Sequence, residues 1–291
     1  MGDAIVVGVT DSSASRRAVE WAIHRAARSS AQLRLISVVG GDSGAAGERA
    51  VVGGDSGAAG ERAVVERALA GAELLLDQIT RRASEQGLTA EAVVDRGDPL
   101  ARLVAASERA ALLVVGSDRF TGSRRRRGPL AMRVSGEAHC PVVVVPDRDV
   151  EGNSGVVVGV DGSEISERAI RFAADEAGRY DEELIAVKSW SPMPMPMQIG
   201  TLPGEYLAAA QQLAEEELAI SLAGLRQDLP DLRMRTVVEP EYPAALLRRT
   251  GAGARMVVVG SHGRGALRRF LLGSTTQLLL EEPPTVVAVV R

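Results

Sequence analysis

The sequence predicts an α/β chain of two tandem domains, each a five-stranded, mostly parallel, doubly wound sheet flanked by helices. Three observations carry this. Residues 5–9 read IVVGV and residues 156–160 read VVVGV, so the chain restarts in the same way half-way along. Both runs are continuously apolar and β-branched, as a parallel strand buried on both faces should be. Behind each start, apolar runs alternate with helical patterns in the same order, which is how a parallel sheet with crossover helices reads. A chain of 291 residues has room for two such domains.

Each element has its own reason. The first strands are followed by TDSSASRRAVEWA and DGSEISERAIRFA, where Ser12 or Ser13, and Ser163, are placed to cap a helix. Second strands fall at 33–39 and 184–190, long helical patterns at 63–86 and 204–228, and third strands at 90–95 and 233–238. Short helices begin near Pro99 and Pro243, because a proline in the first turn gives up an N–H that has no helical partner anyway. ALLVVGS and ARMVVVGS read as fourth strands, PVVVVP and TVVAVV as fifth. The fifth strands, 142–145 and 286–290, stand at sheet edges, which proteins usually cover. The polar stretch DRDVEGNS separates the halves, giving domains 1–148 and 154–291. One segment breaks the pattern: GGDSGAAGERAVV occurs at 40–52 and again at 53–65. Its Gly and Ala content reads as a mobile loop, whose doubling costs only ~0.6 kcal/mol of closure entropy.

Composition narrows the function. A net charge of −4 gives no reason to expect nucleic acid or an anionic membrane as partner. Cys140 is the single cysteine, which excludes an internal disulfide and zinc sites built on several cysteines. Residues 1–10, MGDAIVVGVT, lack the basic start and apolar core of a secretory signal, and no apolar run approaches the ~18 residues of a membrane span. These features predict a cytoplasmic protein. Lys188 is the only lysine, a bias read as compositional. His24, His139 and His262 are scattered without metal-ligand spacing, and no metal site is expected from them. The Met-Pro run at 193–197 has no His or Cys beside it and reads as a proline-stiffened flap.

The most informative segment is 260–275, GSHGRGALRRFLLGST. Gly260, Gly263 and Gly273 follow the spacing G-x2-G-x9-G, with Ser274 and Thr275 next. No Lys-Ser/Thr pair follows, so this is not a Walker loop. It still suits phosphate. Glycines let backbone N–H groups approach oxygens closely, successive N–H groups form an anion nest, and a helix opening at Gly273-Ser274 offers its free N–H groups and dipole. Arg264 stands at the rim, and His262 reads as a rim residue within the loop.

This loop after a VVVGS strand, together with VGVDGSEIS at the start of the half, resembles the ATP-binding branch of the universal stress protein family, in tandem form over nearly the whole chain. The resemblance implies a Rossmann-like fold of the adenine nucleotide alpha hydrolase type. It implies that the aspartate after strand one and a backbone group after strand two hold the adenosine, and that the glycine loop holds the phosphates. Carried over, Asp161 is the aspartate, Val187 the adenine-contacting position, and Gly260, Gly263, Gly273, Ser274 and Thr275 the phosphate loop. Two departures stand out. Glu241, in EPEYP, occupies the place of a glycine, and the last helix is short, ending at EEPPT.

The first half lacks these parts. Thr10 stands at the aspartate position with Asp11 one place later; Arg119 replaces the second glycine; Gly128 comes one residue early and is followed by Pro129, which removes an N–H donor. The arginine run 124–127 reads as a solvated loop or as a seat for an anion or an acidic partner. The expectation is therefore an ATP-binding stress or regulatory protein, with ATP (with or without Mg2+) in the second half. The first half serves mainly for pairing, the chain forms a homodimer, and a regulatory protein is the further partner. No paired carboxylates or nucleophile–base pair stand beside the loop, so no catalytic residues are assigned. The alternatives are a slow ATPase or autophosphorylating switch using Ser274 or Thr275, and a scaffold that ignores nucleotide.

Overall fold

A computed structural model describes residues 4–40, 56–117, 130–191, 204–263 and 272–291. The first half runs β1 (Ala4–Gly8), α1 (Ser13–Ala27), β2 (Gln32–Val39), α2 (Ser56–Glu85), β3 (Ala90–Arg96), α3 (Pro99–Ser107), β4 (Leu112–Gly116), α4 (Leu130–Glu137) and β5 (Val142–Val145). The second runs β6 (Val156–Gly159), α5 (Glu164–Tyr180), β7 (Leu184–Ser189), α6 (Gly204–Asp228), β8 (Met234–Glu239), α7 (Pro243–Gly251), β9 (Met256–Gly260), α8 (Ser274–Glu281) and β10 (Val286–Val290). The chain divides into two units, Met1–Arg148 and Asp149–Arg291.

Within the first unit the strand order is β3-β2-β1-β4-β5, and within the second it is β8-β7-β6-β9-β10. The ladders inside each unit are parallel, with Val6 opposite Arg34 and Leu113 in one and Val157 opposite Ile185 and Val257 in the other. This is the predicted α/β architecture in two copies. The order reverses beside β1 in the first half and beside β6 in the second, which opens a crevice at the carboxyl ends there. The central strands are buried on both faces, as their valine runs require, whereas β3 and β8 stand last in the order of their units and consist of half-buried and exposed residues.

Local chemistry repeats residue by residue. Ser12 and Ser163 cap α1 and α5, accepting from Ser15 N (3.1 Å) and Ser166 N (3.2 Å). The sequence left Ser12 and Ser13 open; the cap is Ser12. Pro99 and Pro243 open α3 and α7. At the ends of β4 and β9, a Cβ on Gly116 would lie 2.6 Å from the Ala14 carbonyl carbon and one on Gly260 2.7 Å from Ile165 Cγ2. Both glycines therefore let the first turn of a helix sit on the strand end.

One boundary differs from expectation. The long helix of the first half begins at Ser56, not near 63, so most of the second repeat copy is helical. A helix already formed adds one hydrogen bond per residue it orders, and it runs back through residues that composition alone assigns to a loop. Residues 41–55, Arg119, the arginine run 124–127, Gly128, Pro129, the Met-Pro run at 193–197 and Arg264 lie outside the described residues.

Candidate functional site

The crevice of the second half starts where β6 ends. Val160 N–H donates to Val187 O at 2.8 Å, the last rung with β7. The chain then leaves the sheet. Asp161 N–H turns to Ser166 Oγ at 3.3 Å, Gly162 takes φ +78°, a conformation that suits glycine, and Ser163 caps α5. Asp161 Oδ1 accepts from Ser163 N at 2.9 Å, which aims the other carboxylate oxygen across the crevice. There it meets Gly263: a Cβ on that glycine would stand 2.1 Å from Asp161 Oδ2.

The start of the loop after β9 is held by β10 and by the start of α8. Ser261 N–H donates to Val290 O at 2.7 Å, Gly273 N–H to Ser261 O at 2.8 Å, and Thr276 Oγ1 to Gly260 O at 2.7 Å. A Cβ on Gly273 would be 3.2 Å from His262 Cα and 3.8 Å from Gly263 N, so the start of α8 lies directly on the loop. Gly273 is the N-cap of α8 and gives it no side-chain cap, unlike Ser12, Asp98 and Ser163 on their helices. The first N–H groups of α8 thus have no side-chain cap, with Ser274 exposed and Thr275 half-buried beside them. His262 sits at the rim with Nδ1 3.0 Å from Ser261 Oγ. Sequence reasoning missed Thr276. Its signal is helical spacing, since it shares the buried side of α8 with Leu279 and Leu280.

Val187 belongs to the sheet, as the predicted strand 184–190 requires. It lies inside β7, buried, with its carbonyl already accepting from Val160. Trp190 N–H donates to Glu239 O at 3.2 Å on the β8 side. Because backbone groups of successive strand residues point alternately to either side, Ser189 N–H and C=O point to the β6 side, one step beyond the last rung. The backbone edge that faces the gap left by β6 therefore belongs to Ser189. Its side chain is tied down as well, with Oγ donating to Glu241 O. Glu241, the residue in place of the expected glycine, forms a tight turn in which its N–H reaches Glu239 O at 3.0 Å. Arg249 bridges the carboxylates of Glu239 and Glu241. Its hydrogen bond to Glu241, then that to Glu239, raises the guanidinium pKa still further.

The profile described as the Universal stress protein family matches residues 1–146 and 153–291. This chain belongs to the universal stress protein family. It carries two domains of that kind, and similarity runs through both. Universal stress proteins Rv2005c and Rv2623 of Mycobacterium tuberculosis are each 33% identical to it, over 99% of this chain and 96% of theirs. Among solved structures, a universal stress protein from Archaeoglobus fulgidus has a TM-score of 0.69 at 20% identity, covering 99% of this chain and 96% of its own. A putative universal stress protein from Pseudomonas aeruginosa has a TM-score of 0.61 at 17% identity, covering 99% and 92%. At these identities the two structures establish the fold.

The two universal stress domains differ at the crevice. Thr10 occupies the place of Asp161, because Thr10 N–H donates to Ser15 Oγ at 2.8 Å as Asp161 N–H does to Ser166 Oγ. Thr10 Oγ1 lies 3.1 Å from Ser12 Oγ, and Asp11 pairs outward with Arg16 at 2.8 Å. No carboxylate is held at the Asp161 position of the first domain. A different one, Asp147, accepts from Ser13 Oγ at 2.6 Å at the start of α1. Among the described residues no group of three or more His, Cys, Asp or Glu is placed to hold a metal, and no helix is long and apolar enough to cross a membrane.

Proposed function

We propose that this universal stress protein binds one ATP per chain, in the crevice of its second domain, and acts as a nucleotide-responsive regulatory protein. The observation that carries this is the juxtaposition of Asp161, Gly263 and the uncapped start of α8. A helix N-terminus without a side-chain cap favours an anion, and the absence of side chains at 263 and 273 lets the loop backbone and the start of α8 come together, where their N–H groups can serve one phosphate chain. Ser274 and Thr275 add hydroxyl donors. The Ser189 edge supplies one N–H donor and one C=O acceptor, the complement of adenine N1 and the N6 amino group. Asp161, one strand away, is placed to accept from the ribose or the base. Mg2+ would keep water and phosphate oxygens as its main ligands, since it holds its hydration shell strongly.

The first domain has Thr10 where this arrangement needs Asp161, which supports one site and not two. Equilibrium dialysis of the intact chain against ATP and GTP tests the reading. ATP should bind and GTP should bind at least tenfold more weakly, because guanine O6 and N1–H reverse the pattern that Ser189 offers. Equal affinity, or none for either, contradicts it.

One observation favours a second reading. Ser274 is exposed in the first turn of α8, where a γ-phosphate would lie. Transfer of that phosphoryl group to Ser274 Oγ would break its bond to the β-phosphate oxygen, release ADP and pass the hydroxyl proton to water. Stoichiometric label from γ-labelled ATP, lost in Ser274→Ala, would establish the switch. Absence of label leaves a binding protein.

A further inference from the structure

We propose that Trp190 supplies the stacking face for the purine base, and so helps to set base selectivity in the second domain. The inference rests on the ATP reading above. Trp190 follows Ser189 directly, just past the carboxyl end of β7, with its own N–H on the β8 side. Lys188 and Trp190 share one face of the strand: Lys188 Nζ meets Glu217 at 2.8 Å, and Trp190 Nε1 donates to Gln211 Oε1 at 2.6 Å, both on α6. Gln211 is itself fixed, donating through Nε2 to Val238 O at 3.0 Å and to Glu215 at 2.7 Å.

The indole N–H is thus satisfied by α6, through a glutamine that is itself tied to β8. Trp190 remains only half-buried. A large aromatic whose polar atom is already paired, next in the chain to the Ser189 edge, presents an apolar π-face as its remaining binding surface. A planar base hydrogen-bonded to the neighbouring Ser189 edge is the ligand chemistry that matches it. Stacking accepts any base but favours the larger purine ring system, so Trp190 adds a size preference to the hydrogen-bond preference of Ser189.

The chain has two tryptophans, so Trp21→Phe leaves Trp190 as the single reporter. In that background ATP should shift or quench the emission along a curve that follows calorimetric binding. Trp190→Ala should weaken ATP by about 5- to 150-fold and lower the ATP-over-CTP preference, whereas Trp190→Phe should keep affinity within about threefold. That last comparison separates stacking from a purely structural role, because Phe keeps the ring and loses the bond to Gln211. ATP binding by Trp21→Phe with unchanged Trp190 emission overturns the stacking assignment alone. So does a Phe variant as weak as the Ala variant, or an Ala variant as tight as the parent. Failure of the unmodified chain to bind ATP removes the underlying reading and this inference together.

Discussion

The carboxylate of Asp161 lies directly over the Cα of Gly263, so that a single added carbon on the glycine would meet Asp161 Oδ2 at 2.1 Å. The two residues come from opposite sides of the crevice, one after β6 and one after β9. Gly263→Ala must therefore displace the carboxylate or the loop, and Gly263→Arg fills the space between them. Both variants should lose ATP affinity by at least tenfold in calorimetry. The thermal midpoint should move by less than about 4 °C, since the loop lies outside the core. Unchanged affinity in Gly263→Arg would show that this contact has no bearing on ligand.

Asp161→Ala should weaken ATP by about 10- to 150-fold, the equivalent of about 1.5–3 kcal/mol for a hydrogen bond to a charged group. Asp161→Asn keeps an acceptor and should lose less. Thr10→Ala, at the matching place in the first domain, should leave ATP binding unchanged. A loss at Thr10 equal to that at Asp161 would mean that the two domains bind alike.

The paired caps give a test of stability. Ser12→Ala and Ser163→Ala each remove an acceptor for a helix N–H and should each cost about 1 kcal/mol in denaturant unfolding. Neither variant should weaken ATP appreciably, because Ser163→Ala keeps the backbone N–H that positions the Asp161 carboxylate. A large loss of ATP affinity in Ser163→Ala alone would contradict that assignment, since it would place the Ser163 hydroxyl, and not its N–H, at the site.

Cys140 is buried, and burial pushes its thiol from 9.0 up to about 12. The unfolded thiol ionises first, so the folded state loses stability as pH rises from about 9 towards 12, at up to about 1.4 kcal/mol per pH unit. Cys140→Ala should flatten the alkaline limb of the stability curve. The native thiol should also resist alkylation until the chain is unfolded. Rapid alkylation of the folded protein would show that the site opens.

Much of this was legible in the sequence for physical reasons. Valine runs fit only a strand buried on both faces, and Ser163 and Pro243 mark helix starts by local chemistry, so the two α/β halves could be read directly. Gly263 and Gly273 stood out by spacing, and the structure brings them together. Two things were hidden. The start of α2 depends on propagation from a helix formed further along, which composition around Ser56 does not encode. Val187 and Ser189 are equivalent by strand periodicity, two residues apart on one side. Which of them has a free backbone edge depends on where the neighbouring strand stops, a tertiary fact fixed by the turn at Gly162.

The most direct measurement is a calorimetric titration of the nucleotide-free full chain with ATP. One site per chain, lost in Asp161→Ala and retained in Thr10→Ala, is the predicted result. Two equivalent sites, or binding that survives Asp161→Ala, would contradict the assignment of a single nucleotide to the second domain.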